Sequence, residues 1–184
     1  MTALQQFVGH VDELLSDSAD EAQVLQGVMA AMRTLVARDD WLGAEFSQPH
    51  PKYYQQYLLH RDPAARFSVV SFVWSPGQAT PIHDHSVWGV IGLLRGGEFS
   101  QSYAKGHPGM VPQGPEELLR PGDVAAVSPR IGDIHRVRNA HADRVSISVH
   151  AYGADIGQVR RQVFEPETGV ATEFVSGYSS SLPP

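Results

Sequence analysis

The stretch Pro81-Ile82-His83-Asp84-His85-Ser86-Val87-Trp88-Gly89 places two histidines two residues apart, just ahead of an apolar run from Val87 to Leu94. In an extended chain, residues i and i+2 point to the same face. An extended His83-x-His85 therefore sets two imidazoles side by side, as a metal needs. The pair alone equally suits two surface histidines beside a turn. What decides between the two is whether the rest of the chain supplies a third ligand, a barrel and a pocket.

The flanking chain has a helical start followed by many short strands. Leu4, Phe7, Val8, Val11, Leu14 and Leu15 recur at helical spacing over residues 3–15. Ser18-Ala19-Asp20-Glu21 reads as a capping box opening a second helix, whose buried stripe is Val24, Leu25, Val28, Met29, Met32, Leu35 and Val36. From about residue 40 the pattern changes. Residues 41–52 read as a loop, 53–60 as a first strand and Phe67–Trp74 as a strong second one. Arg95-Gly96-Gly97-Glu98 is a hairpin signal after Val87–Leu94, and Phe99–Tyr103 returns. Residues 104–115, rich in Gly and Pro, read as a loop. Further strands are expected at 117–120, 123–128, 134–138 and 145–152, then a hairpin around Glu167-Thr168-Gly169 and a polar tail, Ser176–Pro184. Eight or nine short strands after a helical start predict a mainly β fold with N-terminal helices, either a small β-barrel or a double-stranded jelly roll. The expected layout is a single domain over 1–184, with a helical extension over 1–40 packed on a β-barrel over 41–175.

Composition limits what such a barrel can do. The 184 residues carry a net charge of −6 with no basic run, so neither nucleic acid nor an anionic membrane is an expected partner. No apolar stretch approaches a membrane span. Met1-Thr2-Ala3-Leu4-Gln5-Gln6 shows no secretory signal, so a cytoplasmic location is expected. Cysteine is absent, which excludes disulfides, thiolate metal sites and cysteine nucleophiles. Any metal must sit on His, Asp, Glu or water. Of nine histidines, His10 and His107 read as solvated. His135 begins a strand after a Pro/Gly turn, as His83 does, and is the best third ligand. Three neutral imidazoles suit Fe, Zn, Ni or Cu, and three protein ligands leave positions open, as at a catalytic site. Asp84 should point away from its neighbours in a regular strand. In Val145–Tyr152, Val and Ile face one way and Ser146, Ser148, His150 and Tyr152 the other. That polar face either lines a site or meets solvent.

With these residues in place, the chain resembles a known family. Gly77-x5-His83-x-His85 with Gly96 downstream is similar to the first cupin motif. Gly122…Pro129…Gly132-x2-His135-x3-Asn139 is similar to the second, with one extra residue around the proline. The glutamate ligand of most cupins is replaced by Gly89. A three-histidine cupin of this kind resembles the thiol dioxygenases of the cysteine dioxygenase family, and Ser148-x-His150-x-Tyr152 matches their Ser-His-Tyr triad. The resemblance implies Fe(II), one per chain, on His83, His85 and His135. It further implies that Tyr152 places its hydroxyl near the substrate, with His150 and Ser148 orienting it.

Departures narrow the substrate. The cysteine that cross-links to the tyrosine in mammalian enzymes falls at Gly89, and their carboxylate-binding arginine falls at Gln56. Their Ser-Pro after the tyrosine is Gly153-Ala154 here. Arg161 matches an arginine retained in the glutamine-type bacterial enzymes. These features resemble bacterial 3-mercaptopropionate dioxygenases, which implies a small thiol and O₂ as partners, a sulfinic acid as product, and Gln56, Arg161 and Tyr152 as candidate substrate contacts. An uncompensated Fe²⁺ charge would favour a thiolate. Cysteine dioxygenase is the alternative. A metal-dependent cupin enzyme or sensor with a non-thiol ligand is a further one. Oligomeric state stays open, a homo-oligomer included.

Overall fold

A computed structural model describes residues 1–17 and 20–179. Two helices lead, α1 (Ala3–Asp17) and α2 (Glu21–Val36). Eleven strands follow among the described residues: β1 (Gln55–Arg61), β2 (Ser68–Trp74), β3 (Ile82–His83), β4 (Gly89–Arg95), β5 (Glu98–Lys105), β6 (Met110–Leu119), β7 (Val124–Val127), β8 (His135–Asn139), β9 (Ser146–Tyr152), β10 (Arg161–Phe164) and β11 (Ala171–Phe174). They form two sheets, ordered β1-β2-β9-β4-β7 and β11-β10-β3-β8-β5-β6, with antiparallel pairing throughout. Two antiparallel sheets with a helical cover make the expected double-stranded jelly roll of a cupin.

The helices decide which way the five-stranded sheet faces. Val28, Met32 and Val36 of α2 and Phe7 and Val11 of α1 pack in one cluster with Val69, Val73, Val90, Ile147, Val149 and Ala151. The apolar face of β9 is thus covered from outside by α2. At Gly92 the helix comes so close that a Cβ would lie 2.6 Å from the Met32 side chain. Burying each such aliphatic side chain stabilises by roughly 1.5–3 kcal/mol. The opposite face of β9, with Ser148, His150 and Tyr152, therefore points into the barrel, and all seven residues of the strand are buried. The solvent-facing reading of that strand is overturned, because the helices occupy the side that would otherwise define the core.

Several expectations shift locally. Most of the stretch 104–115 is strand, since β5 runs to Lys105 and β6 begins at Met110. β6 is the edge of its sheet, where the missing N–H groups of Pro112 and Pro115 face no partner. The register slips between Ser100 and Ser102, which absorbs the extra residues around Gly114. The expected cap Ser18 lies outside the described residues. Asp20 caps α2 instead, its carboxylate accepting from the Ala22 N–H at 3.1 Å. The described part of the polar tail, residues 176–179, docks on β1: Ser179 N–H donates to Gln56 O at 2.8 Å, and Gln56 N–H donates to Ser179 Oγ at 2.9 Å.

The turn after β1 is held by a buried acid. Asp62 accepts from the backbone N–H groups of Ala64 and Arg66 and from the Arg66 guanidinium at 2.7 Å. Arg66 also reaches Asp12 of α1, so the turn ties helix to barrel. The Arg66 guanidinium bond, followed by the backbone donors, outweighs burial and holds the Asp62 carboxyl down to about 2. A lowered folded pKa stabilises above the unfolded value and is lost as pH falls through the folded one. Asp62→Asn should therefore cost about 1–3 kcal/mol near neutrality. In denaturant melts the gap to the parent should narrow as pH drops from about 5 towards 2. A gap independent of pH would contradict this account of the turn.

Candidate metal centre and substrate cavity

β3 is only two residues long because the chain must pair with β8 and then turn away. Its pairing sets His83 directly opposite His135. His85 follows where the chain leaves the strand, beside Ser86 at φ 62°. The HxH is therefore extended only at its first histidine. The three rings still converge, with centroids 4.7–4.9 Å apart, and one nitrogen from each lies within 4.8 Å of the others. All three are buried.

Each Nδ1 already has a partner. His83 Nδ1 lies 3.1 Å from Pro81 O, His85 Nδ1 lies 3.1 Å from both Asp133 O and Oδ1, and His135 Nδ1 lies 3.3 Å from Ser100 Oγ. That leaves the three Nε2 atoms as donors toward a common point, with ring orientation set by the outer bonds. Burial, then neighbouring His85, pushes His83 down to about 3 and His135 well below its usual value. Neutral imidazoles with free Nε2 lone pairs are the form a divalent transition metal binds. The donor set fits Fe(II).

Asp133, which the sequence presented only as a turn residue, proves central. Its carboxylate also accepts from the N–H groups of His85 and Ser86 at 3.2 and 3.0 Å. Burial would raise its pKa, but the His85 and backbone bonds overcome this and lower it. The one available signal was its place two residues before His135, in Gly132-Asp133-Ile134-His135. Asp84 is not part of the cluster and clamps β10: Gln162 N–H donates to Asp84 Oδ1 at 2.8 Å, and Asp84 N–H donates to Gln162 O at 3.1 Å. His10 and His107 are exposed.

The triad strand supplies a hydrogen-bonded line. Tyr152 Oη lies 2.8 Å from His150 Nδ1, and His150 Nε2 lies 2.8 Å from Ser148 Oγ. Trp74 Nε1–H donates to the same Oγ at 3.4 Å. Tyr152 stacks on His85, centroids 5.6 Å apart, which joins the line to the histidine cluster. Burial raises the Tyr152 phenol well above its ordinary pKa and lowers His150, so both stay neutral. Gly89 sits opposite Tyr152 in the β4–β9 register. A Cβ there would lie 2.9 Å from the tyrosine ring. The tyrosine ring therefore takes the space that any side chain at this position would need.

A cavity of about 260 Å³ opens onto His83, His135, His150 and Tyr152. Phe72, Trp74 and Val137 form its apolar lining, and Arg161 lines it together with Gln56 and Ser176. Arg161 is 4% exposed, and its Nε has no hydrogen-bond partner among the described residues. Its Nη2 donates to Ser176 Oγ at 2.8 Å, and the guanidinium lies over the Phe174 ring. Gln56 is placed differently from a free donor. Its Nε2 donates to Gly177 O at 3.2 Å and Ser176 Oγ at 3.4 Å, which spends the amide on the C-terminal segment.

Among solved structures, the chain is similar to an uncharacterised conserved protein with a double-stranded β-helix domain from Klebsiella pneumoniae (16% identity, TM-score 0.49, 74% of this chain and 97% of that chain). It is also similar to a cupin superfamily protein from Desulfitobacterium hafniense (13% identity, TM-score 0.47, 64% and 94%). A third likeness is to a protein from Thermus thermophilus (21% identity, TM-score 0.46, 59% and 90%). The family model for cysteine dioxygenase type I matches residues 1–163, and the chain accordingly belongs to that family, as a thiol dioxygenase.

Proposed function

We propose that the protein oxidises 3-mercaptopropionate to its sulfinate, with Fe(II), one per chain, held by His83, His85 and His135. The observation that carries the substrate assignment is the composition of the cavity. It holds a buried arginine with an unpartnered Nε, and no carboxylate among the described residues that line it. A buried unpaired cation calls for an anion, and the carboxylate of a small thiol acid supplies one. Cysteine would add an ammonium beside that same cation, with no acid to pair it. Leaving such a group unpaired costs about 1–3 kcal/mol.

When bound, Fe(II) supplies a Lewis acid that lowers the thiol pKa and a redox centre through which O₂ can oxidise sulfur. The chain supplies the rest. Arg161 fixes the carboxylate, so a short acid must place its sulfur toward the histidines. Gln56 acts one step back, holding Ser176 and through it Arg161. Phe72, Trp74 and Val137 exclude water from the reacting end. Tyr152, its ring stacked on His85, carries a neutral hydroxyl whose direction His150 and Ser148 fix. The overall change is RSH + O₂ → RSO₂H, with no external reductant.

Oxygen uptake by iron-loaded protein tests the assignment. The expected order of kcat/KM is 3-mercaptopropionate, then cysteine, then cysteamine, with about ten- to a hundredfold between the first two. Cysteine ahead of 3-mercaptopropionate would overturn the substrate assignment while leaving the family membership intact.

A further inference from the structure

Behind the triad lies an acid that nothing above uses. Glu98 opens β5, is 2% exposed, and lies beside the Ser148 hydroxyl and the Trp74 indole, both of which act against the effect of burial on its carboxyl. Its Oε1 has no hydrogen-bond partner among the described residues. Among the described residues no lysine or arginine is paired with it. An isolated buried carboxylate would be costly, so the group adopts its neutral form. Burial, against smaller opposing effects from Ser148 and Trp74, raises its pKa to about 8.

Its protonation state sets the polarity of the whole line. Ser148 has one proton and two lone pairs, one of them facing the Trp74 N–H. With Glu98 as a neutral acid, its O–H donates to Ser148 Oγ, and the Ser148 proton turns to His150 Nε2. His150 then carries its proton on Nδ1 and donates it to Tyr152 Oη. The tyrosine proton is left free to point into the cavity. With Glu98 ionised every bond would reverse, and Tyr152 would donate back to His150 with a lone pair facing the substrate.

We infer that Glu98 is a positioning residue, the fourth member of the Ser148–His150–Tyr152 line, whose proton fixes the His150 tautomer and thereby presents the Tyr152 hydroxyl to the substrate as a donor. The inference rests on the proposed role of Tyr152 in turnover. It also accounts for a buried acid whose Oε1 has no partner among the described residues, a group that burial alone would disfavour.

The test uses iron-loaded protein with 3-mercaptopropionate, reading kcat, KM, iron content and Tm. Glu98→Leu should keep iron, KM and Tm while lowering kcat about ten- to a hundredfold. Glu98→Gln, whose amide N–H can donate to Ser148, should keep kcat within about twofold. In a Ser148→Ala background, Glu98→Leu should cost little further, because the path through Ser148 to His150 has been removed. Should the Leu variant fail to fold, Glu98→Met takes its place in the same cycle. Unchanged kcat in the Leu variant would overturn the inference, as would a Gln variant as slow as Leu, or losses that multiply in the double variant. Tyr152→Phe separates the two levels. If it slows turnover and Glu98→Leu does not, only the role of Glu98 falls. If Tyr152→Phe leaves kcat unchanged, the line itself has no part in turnover and the inference falls with it.

Discussion

Arg161→Met should raise KM for 3-mercaptopropionate about thirty- to a thousandfold, and should leave the iron content and kcat/KM for cysteamine within about threefold of the parent. The size follows from a charge-assisted pairing in a dry site, worth roughly 2–4 kcal/mol when one partner is truncated. The guanidinium is held on two sides, by Ser176 Oγ and the Phe174 ring, with Nε left unpartnered. Methionine fills similar volume without the charge, so packing against Phe174 survives. Cysteamine has no carboxylate and would lose nothing. If both thiols weakened equally, Arg161 would be supporting the cavity wall rather than binding the acid.

The second large effect is expected at His135. His135→Ala should lower iron affinity by more than about a hundredfold, since losing even an outer partner of a ligand costs ten- to a hundredfold. Thiol-dependent oxygen uptake should fall with it. The metal-free fold should persist, because the buried imidazole is neutral and its removal leaves Ser100 with access to the small adjoining cavity. Asp133→Ala should be milder, within the ten- to hundredfold range of an orienting partner. Iron measured per chain, on protein loaded and then desalted, checks both. Full occupancy in His135→Ala would remove it from the ligand set.

Much of this was legible in the chain because it is local. The helical stripes, the β2 and β9 strands and the His83-x-His85 spacing are periodicities within one element. The pairing of His83 with His135 could be anticipated because both begin strands after Pro/Gly turns. What was not legible depends on contacts between elements. The inward face of β9 is decided by α2, more than a hundred residues away in sequence. The Pro- and Gly-rich β6 reads as a loop until its position at a sheet edge makes prolines harmless. Asp133, Ser100 and Glu98 look like ordinary turn or hairpin residues, and only the fold sets them against His85, His135 and Ser148. Gln56 was legible as a substitution in a binding position. That its amide is spent on Ser176 and Gly177 was not, because the C-terminal segment that takes it is about 120 residues further on.

In the proposed function, a three-histidine iron site and an Arg161 with no acid partner among the described residues together select a thiol carboxylate lacking an ammonium. That selection is tested most directly by competition. Iron-loaded protein is given equal 3-mercaptopropionate and L-cysteine under ¹⁸O₂, and the sulfinates are weighed by mass spectrometry. The account predicts that the sulfinate of 3-mercaptopropionate dominates by at least about tenfold, with both oxygens labelled. A product mixture dominated by cysteine sulfinate, or sulfinate without two labelled oxygens, would contradict it.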